Sequence, residues 1–267
     1  MRRIVSAALD VDVVAAGPVV LQIAVADLPG TSYAEDLVIT LDGKALTPRV
    51  VHGVTGTRLH VVEPDPGKLY ISYRATVDGE AEQAPVDEAE LLEYLRPSRY
   101  AESDKLASVA AREFGHLTAN EELLAAVSSW VSTRLTYVPG SSDPIDGAVD
   151  TYLLGQGVCR DYAHLVVALL RARQIPARLV AVYAPGLDPM DFHAVAEAYI
   201  QGQWRVVDGT LLAPRSSLVR ISTGRDAADT AFLDNHDGGI TFNSAIVSAI
   251  VDGTLPNDDP RELVSLT

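Results

Sequence analysis

The sequence predicts an α+β protein in which a small antiparallel β-sandwich precedes a core of helices and strands. Up to about residue 85, short apolar or alternating runs are separated by turn signals such as Gly17-Pro18 and the Pro-Asp-Pro-Gly stretch at 64–67, a pattern typical of antiparallel strands. From residue 103 onward, apolar residues recur at helical spacing before a strand pair. We therefore expect a β-domain at 1–85, a linker at 86–102, a core at 103–230, and C-terminal strands with a tail at 231–267.

Composition narrows the class of protein. The chain has 267 residues, 48% of them hydrophobic, and a formal net charge of −15 from 36 acidic and 21 basic residues. It is long enough to bury a core, and its acidity argues against a nucleic-acid surface. One cysteine excludes an intrachain disulfide framework, and no Cys/His cluster has zinc-site spacing.

The sequence also predicts a cytoplasmic protein. Met1 to Val5 imitate the start of a signal peptide, but Asp10 and Asp12 interrupt the apolar region that would have to follow. No run approaches the roughly 18 apolar residues that a membrane helix needs. A reducing cytosol would keep the thiol of Cys159 available.

The local patterns give approximate element boundaries. Strands are expected at 4–14, 19–26, 37–41, 49–52, 58–62 and 69–77. Helices are expected at 87–95, 104–114, 121–134 and 145–154, with Ser103 capping the second helix and a residue of 118–120 capping the third. The β-domain contains His52 and His60 but no cluster of acids or nucleophiles, so a binding or structural role is expected for it.

Cys159 is predicted to begin a helix. It follows a Gly-rich turn, and Ala163, Val166, Val167 and Leu170 come four, seven, eight and eleven residues after it on one helical face. The free N–H groups and the positive dipole end of a helix start favour an anion, and so a thiolate. The alternative is a small buried cysteine that only packs.

A histidine and an aspartate are predicted on the hairpin that follows. Residues 193–200 and 203–208 read as strands joined by a two-residue turn at Gln201-Gly202. Pairing of Ile200 with Gln203 makes Asp208 a diagonal neighbour of His193 on the same face. A slip of one residue would separate the two side chains. A histidine oriented by a carboxylate is the base that activates a cysteine nucleophile.

These stretches resemble the core of the transglutaminase-like superfamily, the papain-related thiol enzymes. The matching motifs are G-V-C-R-D-Y-A-H-L at 157–165, Q-I-P-A-R at 174–178, D-F-H-A-V-A-E-A-Y-I at 191–200 and W-R-V-V-D-G-T at 204–210. The resemblance implies a papain-like core with a nucleophile helix packed on an antiparallel sheet. It implies that Cys159 is the nucleophile, His193 the general base and Asp208 its orienting partner. Val195 and Gly209 depart from the family pattern, which usually has an aromatic residue and often a proline there.

Four further residues near these motifs are candidates for supporting roles. By resemblance, Gln156 or Tyr137 would donate to an oxyanion together with the Cys159 N–H, although packing is the alternative for Tyr137. Asp161 and His164 belong to the family pattern but point about 200° and 140° away from Cys159 around the helix. They are expected to support the site without entering the chemistry.

The function expected is that of a cysteine-nucleophile acyl-transfer enzyme acting on amide or peptide bonds through a thioester. A protease or amidase is the first reading, and a protein-crosslinking transglutaminase is the alternative. From another class, a non-catalytic binding or scaffold protein would retain the fold. No cofactor or metal is expected, and the predicted partner is a protein or peptide substrate, with neither nucleic acid nor membrane.

Overall fold

The structure, a computed structural model, describes residues 1–83 and 85–266. Ala84 in the predicted first domain and Thr267 in the predicted tail therefore lie outside the described residues. The helices are α1 (Glu88–Glu93), α2 (Ala107–Phe114), α3 (Asn120–Arg134), α4 (Ala148–Leu154), α5 (Cys159–Ala172) and α6 (Ala227–Thr230). The strands are β1 (Arg3–Ala15), β2 (Val19–Leu21), β3 (Thr31–Leu41), β4 (Lys44–Ala45), β5 (Arg49–His52), β6 (Arg58–Val62), β7 (Gly67–Gly79), β8 (Thr136–Tyr137), β9 (Gln156–Gly157), β10 (Ala177–Tyr183), β11 (Phe192–Ile200), β12 (Gln203–Val207), β13 (Val219–Gly224), β14 (Leu233–Asn235) and β15 (Gly239–Val251).

The amino-terminal part is an antiparallel sandwich. One sheet has the order β15-β1-β7-β3-β4 and the other the order β14-β2-β6-β5. Along β1, Val5, Ala7 and Leu9 are buried while Ser6 and Ala8 between them are more exposed. The buried residues pack against Val19 and Leu21 of the other sheet. This alternation is the one that a two-residue strand period requires. The sandwich predicted from the sequence is confirmed.

The C-terminal strand completes this sandwich. β15 pairs antiparallel with β1 along its length, from Arg3 opposite Val251 to Ala15 opposite Gly239. β14 likewise pairs with β2. The segment that the sequence assigns to separate C-terminal strands therefore closes both sheets of the amino-terminal domain.

Two helices start later than the sequence predicts. Ser103 does not cap α2, which begins at Ala107 after a turn in which the Lys105 N–H donates to the Glu102 carbonyl. α4 begins at Ala148, because the Asp146 carboxylate accepts the Asp143 N–H at 2.8 Å and holds the preceding residues in a turn. Short polar side chains compete with helix formation in this way.

The third helix also departs from its predicted start. No residue of 118–120 caps α3 with its side chain, and Ala119 is the residue at the cap position. Tertiary packing therefore fixes this end, since Leu123, Val127 and Val131 lie in the core shared with α5.

The core domain places α5 against an antiparallel sheet of order β12-β11-β10-β13. Leu165, Val166 and Leu169 are fully buried between that sheet and the other helices. Tyr183 and Ile221, from the same sheet, pack into the sandwich core and join the two domains. None of the helices within 1–83 and 85–266 is long and apolar enough to cross a membrane.

Candidate active site

Cys159 is the first residue of α5 and is partly exposed. Val158 stands at the cap position in an extended conformation, as expected for a residue entering a helix. Asp161, in the first turn, is buried and its carboxylate accepts the Val158 N–H at 2.8 Å. The thiol is thus carried on a helix start whose approach is fixed by a hydrogen bond.

Gly157 is required by this approach. A Cβ atom added there would lie 2.7 Å from the Cβ of Asp161, closer than side chains tolerate. The other Asp161 oxygen accepts the Ser142 hydroxyl at 2.8 Å, which ties the 139–144 loop to the nucleophile helix. Asp161 therefore orients the backbone next to Cys159.

The strand pair that carries His193 has the predicted register. Ile200 lies opposite Gln203 in the β11–β12 ladder. The turn between them has φ of 52° at Gln201 and 76° at Gly202, the left-handed pair that a tight hairpin turn favours. As a result, the Nε2 atom of His193 lies 3.1 Å from the Oδ2 atom of Asp208.

Asp208 is held from several directions. Its Oδ1 atom accepts the Thr210 N–H at 2.7 Å and the Thr210 hydroxyl at 2.8 Å. Its backbone carbonyl accepts the Ser128 hydroxyl of α3 at 2.6 Å. These contacts leave Oδ2 directed at His193. Ser128 was missed in the sequence because it is distant from Asp208 along the chain, and Thr210, although it ends the motif at 204–210, was given no role.

The electrostatics favour a charged imidazole. Burial lowers the pKa of His193, but the charge and hydrogen bond of Asp208, with a smaller contribution from Cys159, raise it above the ordinary value. Burial likewise raises the pKa of Asp208, but His193 and Thr210 hold it below the ordinary value. The Nδ1 atom of His193 is buried and has no hydrogen-bond partner in the part of the chain that the structure describes, which leaves this ring nitrogen for the Cys159 thiol.

The two candidate oxyanion donors differ in their surroundings. Burial raises the pKa of the Tyr137 phenol, which also interacts with the charge, the backbone N–H and the thiol of Cys159. Its ring lies 5.9 Å from that of Tyr162. Gln156 is exposed, and its side chain makes no hydrogen bond within residues 1–83 and 85–266. The phenol of Tyr137 thus interacts with Cys159, whereas the Gln156 side chain is exposed.

His164 serves the packing of the core. It is fully buried, its Nε2 atom accepts the Ala227 N–H at 3.1 Å, and its ring stacks on Tyr100 at 5.4 Å. Burial lowers its pKa to about 3, so it is neutral. It connects α5 to α6.

A buried ion cluster lies further along β11. Glu197 is 1% exposed and binds the guanidinium groups of Arg178 and Arg220 at 2.7 and 2.6 Å. Burial raises the pKa of Glu197, but Arg220 and Arg178 outweigh it and lower the value to about 2. The cluster joins three strands of the core sheet.

A cleft of about 740 Å³ opens beside the candidate residues. Cys159 and His193 both line it, together with Asp191 from the preceding loop and Gln22 from the sandwich. The sequence predicts a binding or structural role for the β-domain. It gave no indication that the C-terminal segment contributes as well. That segment supplies Phe232, Ile240 and Phe242.

The described residues contain no cluster of side chains that could bind a metal ion. No group of three or more His, Cys, Asp or Glu residues there is arranged to hold an ion.

Comparisons with known proteins define the class to which this fold and site belong. The family described as the transglutaminase-like superfamily matches residues 108–209. The crystal structure of a candidate cysteine protease from Cytophaga hutchinsonii superimposes with a TM-score of 0.88 at 31% identity, covering 98% of this chain and 96% of that one. The chain belongs to the transglutaminase-like superfamily.

Similar sequences occur in mycobacteria. An uncharacterized protein of Mycobacterium leprae is 25% identical over 147 residues, or 52% of this chain and 53% of that protein. An uncharacterized protein of Mycobacterium tuberculosis is 30% identical over 196 residues, or 66% of this chain and 62% of that protein. The chain thus spans between half and two thirds of the length of the mycobacterial relatives it matches.

Proposed function

We propose that this protein is a cysteine-nucleophile acyl-transfer enzyme that hydrolyses amide or peptide bonds. One observation carries the proposal: Cys159 at a helix start and a His193 held by Asp208 at 3.1 Å line the same cleft. The similarity to a candidate cysteine protease over nearly the whole chain supports it. A protein or peptide substrate and a cytoplasmic location belong to the same proposal.

The reaction follows from the arrangement of charges. The Cys159 thiolate attacks the substrate carbonyl carbon, and the new C–S bond drives negative charge onto the carbonyl oxygen. The Cys159 N–H and the Tyr137 hydroxyl donate to that oxygen. As the C–N bond breaks, the His193 imidazolium gives its proton to the departing amine, and a thioester remains.

Deacylation uses the same groups, with His193 acting as a base instead of an acid. His193, now neutral, takes a proton from water as the water oxygen attacks the thioester carbonyl. The C–S bond then breaks, the carboxylic acid leaves, and the thiolate–imidazolium pair is restored. Asp208 holds the tautomer of His193 through both steps. If an amine replaces water, the product is a new amide, which is the transglutaminase alternative.

The test incubates casein peptides with the protein in H₂¹⁸O that contains monodansylcadaverine. The Cys159→Ala variant is the matched control. Hydrolysis places ¹⁸O at new C-termini only in the wild type. Incorporation of the dansyl amine without ¹⁸O would instead favour the transglutaminase.

A second measurement separates an enzyme from a scaffold. The rate of Cys159 alkylation by iodoacetamide is followed from pH 6 to pH 8 in the wild type and in His193→Ala. A rate that persists at pH 6 in the wild type and falls in the variant supports the ion pair. Slow alkylation in both proteins, with no product in the peptide assay, would favour a non-catalytic binding protein.

A further inference from the structure

The cleft beside Cys159 has an aromatic wall that the proposed chemistry does not use. Phe192, Phe232, Ile240 and Phe242 all line it. The rings of Phe192 and Phe232 stack at 4.9 Å, and Phe242 meets Phe232 edge-on at 5.7 Å. We call these four residues the aromatic wall.

The wall is apolar surface left open to solvent. Phe242 is 45% exposed, and Phe232 and Ile240 are partly exposed. Pockets that bind small organic groups are mostly apolar and range from about 300 to 1,000 Å³, which includes this cleft. Exposed apolar surface within such a cleft marks a site that gains free energy when a ligand covers it.

The wall is also fixed in position. Behind it, the ring of Phe192 lies 5.7 Å from that of Tyr183, whose buried hydroxyl donates to the Ile23 carbonyl at 2.7 Å. At the other end, Val11 of β1 pairs with Phe242 in the β1–β15 ladder, next to a register shift. A wall held by two sheets needs little ordering when it binds a ligand, and this favours affinity.

The wall lines the same cleft as Cys159 and His193. Phe192 directly precedes His193, and the carbonyl oxygen of Phe192 lies 3.9 Å from the Cys159 sulfur. A group resting on the wall is therefore close to the bond that the thiol attacks. Asp191 and Asp234 also line the cleft, but so does Arg160, so its charged side chains set no preference for the charge of a ligand.

Three of the four wall residues come from a different part of the chain than the candidate catalytic groups. The family match ends at residue 209, whereas Phe232, Ile240 and Phe242 follow on β15 and just before β14. The preference of the cleft is thus set by the segment that closes the sandwich.

We infer that this protein selects amides that carry a bulky apolar group, aromatic above all, within about one residue of the scissile carbonyl. The aromatic wall binds that group. The identification of the ligand as a substrate rests on the proposed function, but the binding preference does not.

The test compares two thiol alkylators that differ only in an apolar group. Iodoacetamide and N-phenethyl iodoacetamide react with Cys159, and their second-order rate constants are each divided by the rate constant with glutathione. In the wild type, the normalised rate constant of the phenethyl reagent should be at least about tenfold higher than that of iodoacetamide. Added methylenes in an apolar pocket bring discrimination of this size.

Two variants test whether the wall causes the higher rate with the phenethyl reagent. Phe232→Ala and Phe242→Ala should each reduce the normalised ratio at least about threefold, and Phe242→Leu should restore part of it. Ile246→Ala is the matched control, because Ile246 lies on the same strand, is 73% exposed and is absent from the cleft lining. Because Phe242 is partly exposed, Phe242→Ala should fold even if Phe232→Ala does not.

Each result supports or overturns the inferred preference for an apolar group. A wild-type ratio near one overturns the inference, and so does a gain that survives both phenylalanine replacements. Alkylation needs no acyl transfer, so a large ratio in a protein that cleaves no peptide would refute the proposed function and keep the wall. Peptide cleavage without a gain for the phenethyl reagent would refute the wall alone.

Discussion

Replacement of Asp208 by asparagine probes the centre of the proposed mechanism. In the wild type, Oδ1 accepts two hydrogen bonds from Thr210, and Oδ2 faces Nε2 of His193. The Thr210 donors would keep the asparagine oxygen on their side, so the NH₂ group would face His193. A donor in that place requires an unprotonated Nε2. The imidazolium would thereby be disfavoured twice, by the lost charge and by the reversed hydrogen bond.

The magnitude follows from the geometry. Two unit charges 3.1 Å apart attract by at most about 5 kcal/mol at an effective dielectric constant of about 20. Because burial lowers the pKa of His193, the imidazole of the variant should be neutral at pH 7. An ordinary thiol ionises near pH 8.5, so at pH 6 its thiolate fraction is only about one part in 300. We expect iodoacetamide alkylation at pH 6 to slow by about 100-fold or more, and amide hydrolysis by about 10³-fold to 10⁴-fold.

The assay is the pH dependence of alkylation, followed by intact-protein mass. Asp191→Asn is the matched control, because it removes one carboxylate charge from the cleft beside Cys159, and Asp191 makes no hydrogen bond to His193. We expect it to change the rate less than about threefold. An Asp208→Asn variant that keeps the wild-type pH profile would refute the assignment of Asp208 as the orienting partner.

Three further replacements test other contacts. Tyr137→Phe should lower kcat for amide hydrolysis about 10²-fold to 10³-fold with little change in KM, since one oxyanion donor is lost. Glu197→Gln should lower the free energy of unfolding by about 3–5 kcal/mol in urea titrations, because it leaves the buried guanidinium of Arg220 without a countercharge, whereas Arg178 keeps Glu90. In the wild type, this stabilisation is complete above about pH 4.3, the unfolded value, and is lost as pH falls toward the folded pKa of about 2. Gly157→Ala should cost about 1–3 kcal/mol of stability through overpacking.

Matched controls accompany these variants. Tyr70→Phe and Glu63→Gln alter exposed residues of the sandwich and should leave kcat and stability within experimental error. Equal kcat in Tyr137→Phe and the wild type would remove the phenol from the oxyanion site. Unfolding of Glu197→Gln at the wild-type urea midpoint would show that the ion cluster carries no net stability.

The arrangement of the candidate site was largely readable from the sequence, because its elements follow local rules. A glycine pair before an apolar helical face indicates a helix start at Cys159. The Gln201-Gly202 turn fixes the register, and a strand period of two then places Asp208 diagonal to His193. The starts of the other helices were harder to predict. At α2 and α4, hydrogen bonds within the preceding turns shift the start by three residues from the sequence-based boundary.

The sequence by itself determined the class of fold, the helix start that carries Cys159 and the hairpin that carries His193. These depend on contacts between residues close in the chain. Only the tertiary structure decided that Ser128 anchors Asp208 and that β15 pairs with β1 to bring Phe242 to the cleft. Those contacts join segments 80 to more than 200 residues apart, and their partners are chosen by the packing of whole sheets and helices, which no local pattern encodes.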